Sequence, residues 1–231
     1  MIEKLRRQAE TLALGSRILY HEGLVSSVGH LSCRVPGAEL MLISPRMSPG
    51  LVTPDDVLLM SLDGEVVEGY GEPNSEWPIH TQTYRRRPEV QAIAHVHPPN
   101  VILLGIIGEP FRPVHNWGAI FADGVGLYEP VAYIRTVEEG DAMAAALGSQ
   151  KAVMLRGHGA TVVGSSLEDA VVSSIKLEYN ATLQIRALSA GKPHYYSEEE
   201  IASVEGHNVP RFWQYFSARA RGELPQTDRL I

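Results

Sequence analysis

The order of strand-like and helix-like segments is the feature that most constrains the fold of this 231-residue chain. Segments with the two-residue period of β-strands cluster before about residue 70, and single strands then alternate with segments of helical period. A doubly wound parallel sheet would require strict alternation of strands and helices along the whole chain. The pattern therefore predicts an α/β protein with a mixed or antiparallel sheet and helices packed on it.

The first half of the chain is predicted to start with an amphipathic helix and to continue into short strands. In the first strand Leu31, Cys33 and Val35 share one face, while Ser32 and Arg34 share the other. The predicted elements are a helix at 2–21, strands at 23–35 and 40–44, a hairpin at 57–69 that turns at Asp63-Gly64, a helix at 75–87, a strand at 90–97 and a helix at 99–108.

The second half is predicted to alternate between strands and helices. Thr136 and Glu139 form a capping-box pattern, and Gly191 closes a long helical segment. The predicted elements are a strand at 131–134, a helix from Thr136, a hairpin at 152–166 that turns at Gly157–Gly159, a helix at 166–190, a helix at 198–221 and an irregular tail at 224–231. Because no repeat or linker interrupts the pattern, we expect a single domain over residues 1–231.

Composition and charge exclude several classes of partner. The chain has 27 acidic and 20 basic residues, a formal net charge of −7, which argues against nucleic acid as a main partner. No run of roughly 18 or more apolar residues predicts a membrane span, and the start of the chain has no apolar core of a secretion signal. Cys33 is the single cysteine, as expected in a reducing compartment. We therefore expect a cytoplasmic protein.

Three histidines form a candidate metal site. His95 and His97 follow an apolar run at 90–94, and residues two apart on a strand point to the same side. His158 lies between two glycines in a predicted strand turn and offers a third imidazole. Three neutral imidazoles with an open position suit one divalent ion, Zn, Mn, Fe or Co, that acts as a Lewis acid.

Glu76 is a second candidate for chemistry. It follows Asn74-Ser75 at the start of a predicted helix, where a carboxylate also simply complements the helix dipole. His80 lies four residues later, on the same helix face as Glu76. From the residues alone, His80 is either a group that supports the site or an ordinary surface residue.

Three segments together resemble the class II aldolase/adducin family. They are "GHLSCRVPG", "SEWPIHTQTYRRRPEVQAIAHVHPP" and "LRGHGATVVGSSLEDA", in the family's order and spacing over about residues 5–190. The resemblance implies a three-layer α/β/α sandwich with a central, mostly antiparallel sheet, assembled as a homotetramer with active sites between subunits. It also implies that His95, His97 and His158 bind the metal, and that Glu76 is the catalytic acidic residue.

The chain departs from the sugar-phosphate aldolases of this family at the residues that bind phosphate. His30 replaces an Asn, Arg46 and Met47 replace a Thr and a Gly, and Asn74-Ser75 replaces a pair of serines. A guanidinium makes a two-pronged contact with a planar carboxylate, so Arg46 is predicted to hold a substrate carboxylate, with a structural ion pair as the alternative. The predicted substrate-binding residues are Arg46, Ser44, Asn74, Ser75 and Asn116.

A further departure affects the reaction. Family aldolases carry a general-acid Tyr just after a His, whereas here Asn116 follows His115. The family also contains decarboxylases of hydroxylated aromatic carboxylates, such as 3,4-dihydroxyphthalate and 3-hydroxy-2-methylpyridine-4,5-dicarboxylate decarboxylases, and the chain resembles that branch. It is therefore predicted to decarboxylate a small hydroxy-aromatic or hydroxy-pyridine carboxylate, with Glu76, His30 and His115 as the residues that handle protons.

Three alternatives stay open. An aldolase that cleaves a sugar phosphate or a related hydroxy-keto acid would need another acid, such as Tyr195 or Tyr196. A non-haem iron oxygenase on the same scaffold would also use three histidines. An adducin-like structural module is disfavoured, because such proteins lack the metal ligands. The aromatic residues Trp117, Phe121, Phe212, Trp213, Tyr215 and Phe216 are expected either to pack or to contact substrate.

Overall fold

The computed structural model describes residues 2–204 and 206–224 and contains an eight-stranded sheet. The strands are β1 (His30–Arg34), β2 (Leu40–Ile43), β3 (Leu58–Ser61), β4 (Val66–Glu68), β5 (Ala92–Val96), β6 (Gly126–Tyr128), β7 (Ala152–Leu155) and β8 (Gly159–Gly164). Their order across the sheet is β4-β3-β2-β1-β5-β8-β7-β6. Neighbouring strands are antiparallel except for the parallel pair β6 and β7, as the predicted fold class requires.

Helices cover both faces of the sheet. They are α1 (Arg6–His21), α2 (Pro78–Arg86), α3 (Pro99–Ile107), α4 (Val137–Leu147), α5 (Leu167–Ala190), α6 (Glu198–Ser203) and α7 (Val209–Ala220), with short 3₁₀ turns at Ile2–Leu5, Pro49–Leu51 and Asn116–Phe121. Leu31 and Ala94 belong to the core under α1, α3, α5 and α7, whereas Ile93 and Val153 belong to the core under α2 and α4. The predicted three-layer α/β/α sandwich is confirmed.

Local sequence explains where several elements begin and turn. The Thr136 side chain accepts from the Glu139 backbone, and the Glu139 side chain accepts from the backbone of Thr136, so the predicted capping box starts α4. Pro78 occupies the first turn of α2, where its missing N–H costs no helical hydrogen bond. Gly64 has a φ of 96° in the turn between β3 and β4, a conformation that favours glycine.

The strand predicted at residues 131–134 is wrong. The strand in this part of the chain is β6, which lies a few residues earlier and pairs with the edge of β7. Pro130 ends it, because proline cannot donate to a strand ladder. Val131 and Tyr133 are exposed, and the backbone N–H of Ile134 donates instead to the carboxylate of Glu76. A run of four apolar residues thus belongs to a loop that Glu76 holds by a hydrogen bond.

The single helix predicted at 198–221 is also wrong, because two helices occupy this region. The first, α6, ends at Ser203, and Asn208 caps the second by accepting from the backbone N–H of Arg211. Pro210 lies in the first turn of α7, where it is compatible with a helix start but not with a helix interior. Glu205 and most of the predicted irregular tail, residues 225–231, lie outside the described residues. Within the described ranges, no helix is long and apolar enough to cross a membrane.

Gly159 gives the first test, because β5 and β8 approach closely there. A Cβ at this position would overlap the carbonyl oxygen of Val96 and lie 2.9 Å from Cδ2 of His97. We therefore expect Gly159→Ala to lower the free energy of unfolding by about 2 kcal/mol, since well-packed backbone has to shift. Urea unfolding measures this difference.

Gly191→Ala is the matched control, because nothing lies within 4 Å of a Cβ there. It should change the unfolding free energy by less than about 0.5 kcal/mol. Equal unfolding free energies for the two variants would contradict the close approach at Gly159.

Candidate active site

The candidate site lies where β5 leaves the sheet. His95 is fully buried at the end of this strand, beside His30 of β1 on one side and Thr161 of β8 on the other. His97 follows one residue after the strand, and its ring lies 4.9 Å from that of His95, centroid to centroid. The two imidazoles therefore point to the same side of the sheet, as the spacing predicts.

His158 completes the cluster from the turn between β7 and β8. Gly157 adopts a φ of 68°, which turns the chain, and the His158 backbone N–H donates to the Leu155 carbonyl at 2.9 Å. The His158 ring lies 5.0 Å from that of His95 and 5.4 Å from that of His97. One ring nitrogen from each of the three histidines lies within 4.8 Å of the others.

The free ring nitrogens of these histidines fit a metal ion. His95 Nε2, His97 Nδ1 and His158 Nε2 are buried and have no hydrogen-bond partner among the described residues. The opposite nitrogen of His95 lies 3.3 Å from Thr161 Oγ1, and the backbone of Val28 holds the ring of His97 by a hydrogen bond. Such partners orient a ring and leave the other nitrogen as the ligand atom.

Burial keeps these imidazoles neutral. It lowers the pKa of His97 to about 4, lowers that of His95 well below its ordinary value and lowers that of His158 as well, and the neighbouring imidazoles add to the effect. Neutral imidazole is the form that binds a metal. The donor set suits Zn, Mn, Fe or Co, and it does not distinguish them.

Glu76 faces the three histidines from the segment before α2. Its Oε2 lies 3.6 Å from His158 Nε2, 3.9 Å from His95 Nε2 and 4.0 Å from His30 Nε2. Its Oε1 accepts from the backbone N–H of Ile134 at 3.0 Å, and the side chain of Asn74 accepts from the Glu76 backbone at 3.0 Å. The carboxylate is thus fixed at the centre of the cluster.

The carboxyl group of Glu76 is ionised despite its burial. Burial alone raises its pKa, but the neighbouring side chains of His30 and His158 and the backbone N–H of Ile134 outweigh burial, so the net pKa is lowered. Together with His30 and His95, Glu76 forms a second group with metal-ligand spacing that overlaps the first. A carboxylate beside a metal-competent cluster can accept a proton or contact the metal itself.

The cluster opens into a cavity of about 850 Å³. Glu76, His97 and His158 form part of its wall, and the remaining lining residues include the predicted Arg46, Asn74 and Ser75. This size accommodates a small-molecule substrate.

Residues 10–185 match the class II aldolase and adducin N-terminal domain family. The chain belongs to this family. It is 35% identical over 198 residues to the 3,4-dihydroxyphthalate decarboxylase of Arthrobacter keyseri, an alignment that covers 79% of each protein. It is 29% identical over 204 residues to the L-fuculose phosphate aldolase of Escherichia coli O6:H1, which covers 87% of this chain and 92% of the relative.

A solved structure of the family agrees with the fold. The L-fuculose 1-phosphate aldolase from Glaciozyma antarctica PI12 superposes with a TM-score of 0.81 at 26% sequence identity, over 96% of this chain and 93% of that one. Members of the family thus include both decarboxylases and aldolases of sugar phosphates.

Arg46 lines the cavity with an exposed guanidinium group. Its side chain is 65% exposed, and its Nη1 lies 3.4 Å from the carboxylate of Glu72. An exposed ion pair of this length contributes little to stability. This disfavours the alternative that Arg46 serves only in a structural ion pair. The guanidinium is available to a ligand in the cavity.

Three predicted site residues, Ser44, His115 and Asn116, do not line the main cavity. Ser44 is buried, and its hydroxyl accepts from the backbone N–H of Leu31 at 3.1 Å, so it stabilises the end of β1 and is not part of the cavity wall. His115 accepts from the backbone N–H of Trp117, and Asn116 lines another cavity, of about 240 Å³. Phe121 is buried in the core and does not form an apolar wall.

The sequence did not reveal two residues that line the main cavity. Tyr133 packs edge-on against His158, with 5.5 Å between ring centroids, and the guanidinium of Arg135 lies 4.7 Å from the Tyr133 ring. Tyr133 lies within the predicted strand at 131–134 and Arg135 directly follows it, so the periodicity did not place either residue near the histidines. The only signal in the sequence was that a tyrosine and an arginine occur close together just before Thr136, which caps α4.

His80 also has a definite place. It is fully buried, and its ring is hydrogen-bonded on both sides: Nε2 lies 2.6 Å from His30 Nδ1, and Nδ1 lies 2.6 Å from Ser32 Oγ. It is therefore a group behind the site and not a surface residue.

Metal binding gives a direct test of the cluster. We expect zinc titration of the metal-free protein to show about one site per chain, and His97→Ala or His158→Ala to weaken that site at least about 100-fold, since each removes one of three ligands. Isothermal titration calorimetry measures both quantities.

His21→Ala is the control, because His21 is exposed on α1 and far along the chain from the cluster. Unchanged zinc affinity in the His97 and His158 variants would rule out the three-histidine site.

The depressed pKa of His97 predicts how stability depends on pH. Because its folded pKa is about 4 and its ordinary value is 6.5, the unfolded chain binds more protons between these values. The free energy of unfolding of the metal-free protein should therefore fall as the pH drops from 6.5 to 4, by roughly 2 kcal/mol from this residue. Denaturant titrations at a series of pH values, for the parent and for His97→Asn, should show a shallower dependence in the variant; parallel curves would contradict the prediction.

Proposed function

We propose that this protein is a divalent-metal-dependent decarboxylase of a hydroxy-aromatic or hydroxy-pyridine carboxylate. The proposal rests on one observation: the histidine cluster and Glu76 open into the same cavity as two guanidinium groups, those of Arg46 and Arg135. Guanidinium groups bind planar carboxylates in a two-pronged manner. The similarity to 3,4-dihydroxyphthalate decarboxylases supports a dicarboxylate as the substrate class.

His95, His97 and His158 would hold the metal ion. When bound, the ion supplies Lewis acidity that stabilises negative charge on a substrate oxygen. The free nitrogens and the neutral state of the three imidazoles support this assignment. The identity of the metal stays open among Zn, Mn, Fe and Co.

The chain's own residues bind the substrate and move protons. Arg46 and Arg135 orient the carboxylates, and Asn74 and Ser75 donate to or accept from polar substituents at the cavity wall. The ionised carboxylate of Glu76 accepts the proton of the substrate hydroxyl, so that the ring oxygen can donate electrons toward the ring carbon that carries the carboxylate. Carbon dioxide needs no acid to leave.

This electron donation allows that ring carbon to take up a proton before carbon dioxide leaves. The C–C bond then breaks, its electrons pass to the ring oxygen, and the aromatic ring is restored. Glu76, protonated in the first step, can return its proton to that carbon, directly or through water. His30, whose Nε2 lies 4.0 Å from Glu76 Oε2, is the second group that faces the same position. This assignment gives Glu76 the role of base and then of acid.

The oligomeric state belongs to the proposal as well. We infer a homotetramer with active sites between subunits from the family resemblance. The placement of Asn116 beside another cavity of its own chain is compatible with a role at a neighbour's site. Cytoplasmic localisation stays a prediction from the sequence.

An aldolase that cleaves a sugar phosphate is the second candidate, and one observation favours it. Tyr133 lines the cavity and is 60% exposed, so its phenol is available as the acid that family aldolases use. Tyr195, by contrast, donates its hydroxyl to Glu109 at 3.0 Å and does not line this cavity. The similarity to L-fuculose phosphate aldolase is compatible with this chemistry.

One experiment separates the two activities. The metal-loaded protein is incubated with a panel of ortho-hydroxy aromatic dicarboxylates and, separately, with ketose 1-phosphates, and the release of carbon dioxide and of aldehyde is followed. We expect carbon dioxide from at least one dicarboxylate, with kcat lowered at least about 100-fold in Glu76→Gln, which has no base. Cleavage of a sugar phosphate without any decarboxylation would overturn the proposal.

Variants of the two arginines extend the same experiment. Arg46→Gln and Arg135→Gln should each raise KM about 10-fold to 100-fold, the loss of one charge-assisted contact to a carboxylate. Arg85→Gln is the matched control, since Arg85 is partly exposed and pairs with Asp63 in the β3–β4 turn. Tyr133→Phe should leave decarboxylation within a few-fold of the parent, whereas an aldolase would lose its acid.

A further inference from the structure

Four buried side chains form a continuous hydrogen-bonded row behind the site. His30 Nδ1 lies 2.6 Å from His80 Nε2, His80 Nδ1 lies 2.6 Å from Ser32 Oγ, and Ser32 Oγ lies 2.8 Å from the Tyr84 hydroxyl. Each of the four is at most 2% exposed. The row ends on one side at His30 Nε2, which faces Glu76, and on the other at the Tyr84 phenol.

The fold explains why these side chains meet. His30 and Ser32 lie two residues apart on β1 and share the face that is opposite to Leu31. His80 and Tyr84 lie four residues apart on α2, one turn above the other. Because α2 covers this face of β1, the polar pair of the strand meets the polar pair of the helix.

The number of hydrogens allows three arrangements of the row. As uncharged groups, the four side chains carry one hydrogen each that can be shared, and three contacts use three of the four. Burial lowers the pKa of His80 well below its ordinary value, so that ring is neutral. In the first arrangement all hydrogens point toward His30, with the fourth on His30 Nε2. In the other two, His30 donates to His80 and His80 donates to Ser32. The fourth hydrogen is then on the phenol, if Ser32 donates to Tyr84, or on Ser32 itself, if the Ser32 oxygen accepts from both His80 and Tyr84.

The Tyr84 end of the row disfavours the other two arrangements. Within residues 2–204 and 206–224, the Tyr84 hydroxyl has no protein hydrogen-bond partner other than Ser32 Oγ, and Ser32 Oγ has none other than Tyr84 and His80. If Ser32 donated to the phenol oxygen, the phenol hydrogen would be buried without a protein acceptor, and if Ser32 accepted from both neighbours, its own hydrogen would be buried without one; both are unfavourable states. Tyr84 must therefore donate to Ser32, Ser32 to His80, and His80 to His30.

The Glu76 end of the row agrees. In the favoured arrangement His30 Nε2 carries a hydrogen and faces Oε2 of Glu76 at 4.0 Å. In the other two arrangements a nitrogen lone pair would face that oxygen, so that two atoms with lone pairs would point at each other. Both ends of the row select the same direction.

We propose that His80, Ser32 and Tyr84 are positioning residues that hold His30 with its hydrogen on Nε2, so that His30 donates a hydrogen bond into the active site and does not bind the metal. The geometry thereby decides between the two overlapping groups with metal-ligand spacing, in favour of His95, His97 and His158. The use of His30 as a proton donor to the product carbon rests on the proposed decarboxylation; the position of its hydrogen does not.

Neutron diffraction from deuterium-exchanged crystals tests the proposal directly. We expect a deuteron on Nε2 of His30 and on Nε2 of His80, and none on Nδ1 of either ring, both in the metal-free and in the zinc-loaded protein. A deuteron on His30 Nδ1, or zinc on His30 Nε2, overturns the proposal. Because no substrate is involved, this result does not depend on which reaction the protein catalyses.

The variant Ser32→Ala tests whether the row sets the hydrogen. It separates His80 from Tyr84, so His80 can adopt either neutral form, and the deuterium occupancy at Nε2 of His80 and His30 should fall below one. Ser174→Ala is the matched control, since Ser174 is a buried serine on α5 that donates to the Ala170 carbonyl. Full occupancy at both atoms in Ser32→Ala would show that the row has no such role.

Zinc affinity provides a measurement that needs no crystals. His30→Gln removes the imidazole and keeps a side-chain N–H that can donate, so the zinc affinity should stay within about 3-fold of the parent, whereas His95→Gln should weaken it at least about 100-fold. A loss of affinity in His30→Gln comparable to that in His95→Gln would identify His30 as a ligand and overturn the proposal. Circular dichroism spectra of the variants establish that they are folded.

Discussion

The antiparallel alignment of β5 between β1 and β8 is the constraint on which the site depends. This register sets His95 beside His30 on one neighbour and beside Thr161 on the other. Gly159 allows β8 to approach the end of β5 so closely that no side chain fits there. With β8 in this place, the turn that precedes it brings a ring nitrogen of His158 to within 4.8 Å of ring nitrogens of His95 and His97, close enough to share one metal ion. A shift of β5 by one residue would move both histidines to the opposite face of the sheet.

Burial gives the assembled side chains their chemical states. The three imidazoles are neutral because burial disfavours their charged form, and Glu76 is ionised because its contacts with neighbouring groups outweigh its burial. A neutral donor set beside a carboxylate is suited to a divalent ion and to proton transfer. The cavity then adds guanidinium groups, which distinguish this chain from a site built of small residues for phosphate.

Much of the fold and of the metal site could be predicted from the sequence, because these features depend on local periodicity. The hairpins, the long helix before Gly191 and the capping box at Thr136 are all encoded within short segments. The strand at 131–134 and the single helix at 198–221 were mispredicted for a related reason. Four consecutive apolar residues do not distinguish a strand from a loop. Pro130 ends the preceding strand, and Pro210 is compatible only with a new helix start.

The sequence by itself determined the candidates for the chemistry: the histidine pair on one strand, the histidine between two glycines and the glutamate before a helix. Only the tertiary structure decided which side chains stand next to them. Tyr133 and Arg135 reach the cavity through a loop that Glu76 holds, and His80 meets His30 because α2 lies across β1. Ser44, in contrast, is buried at a strand end. These are contacts between segments distant in the chain, so the periodicity of any one segment contains no information about them.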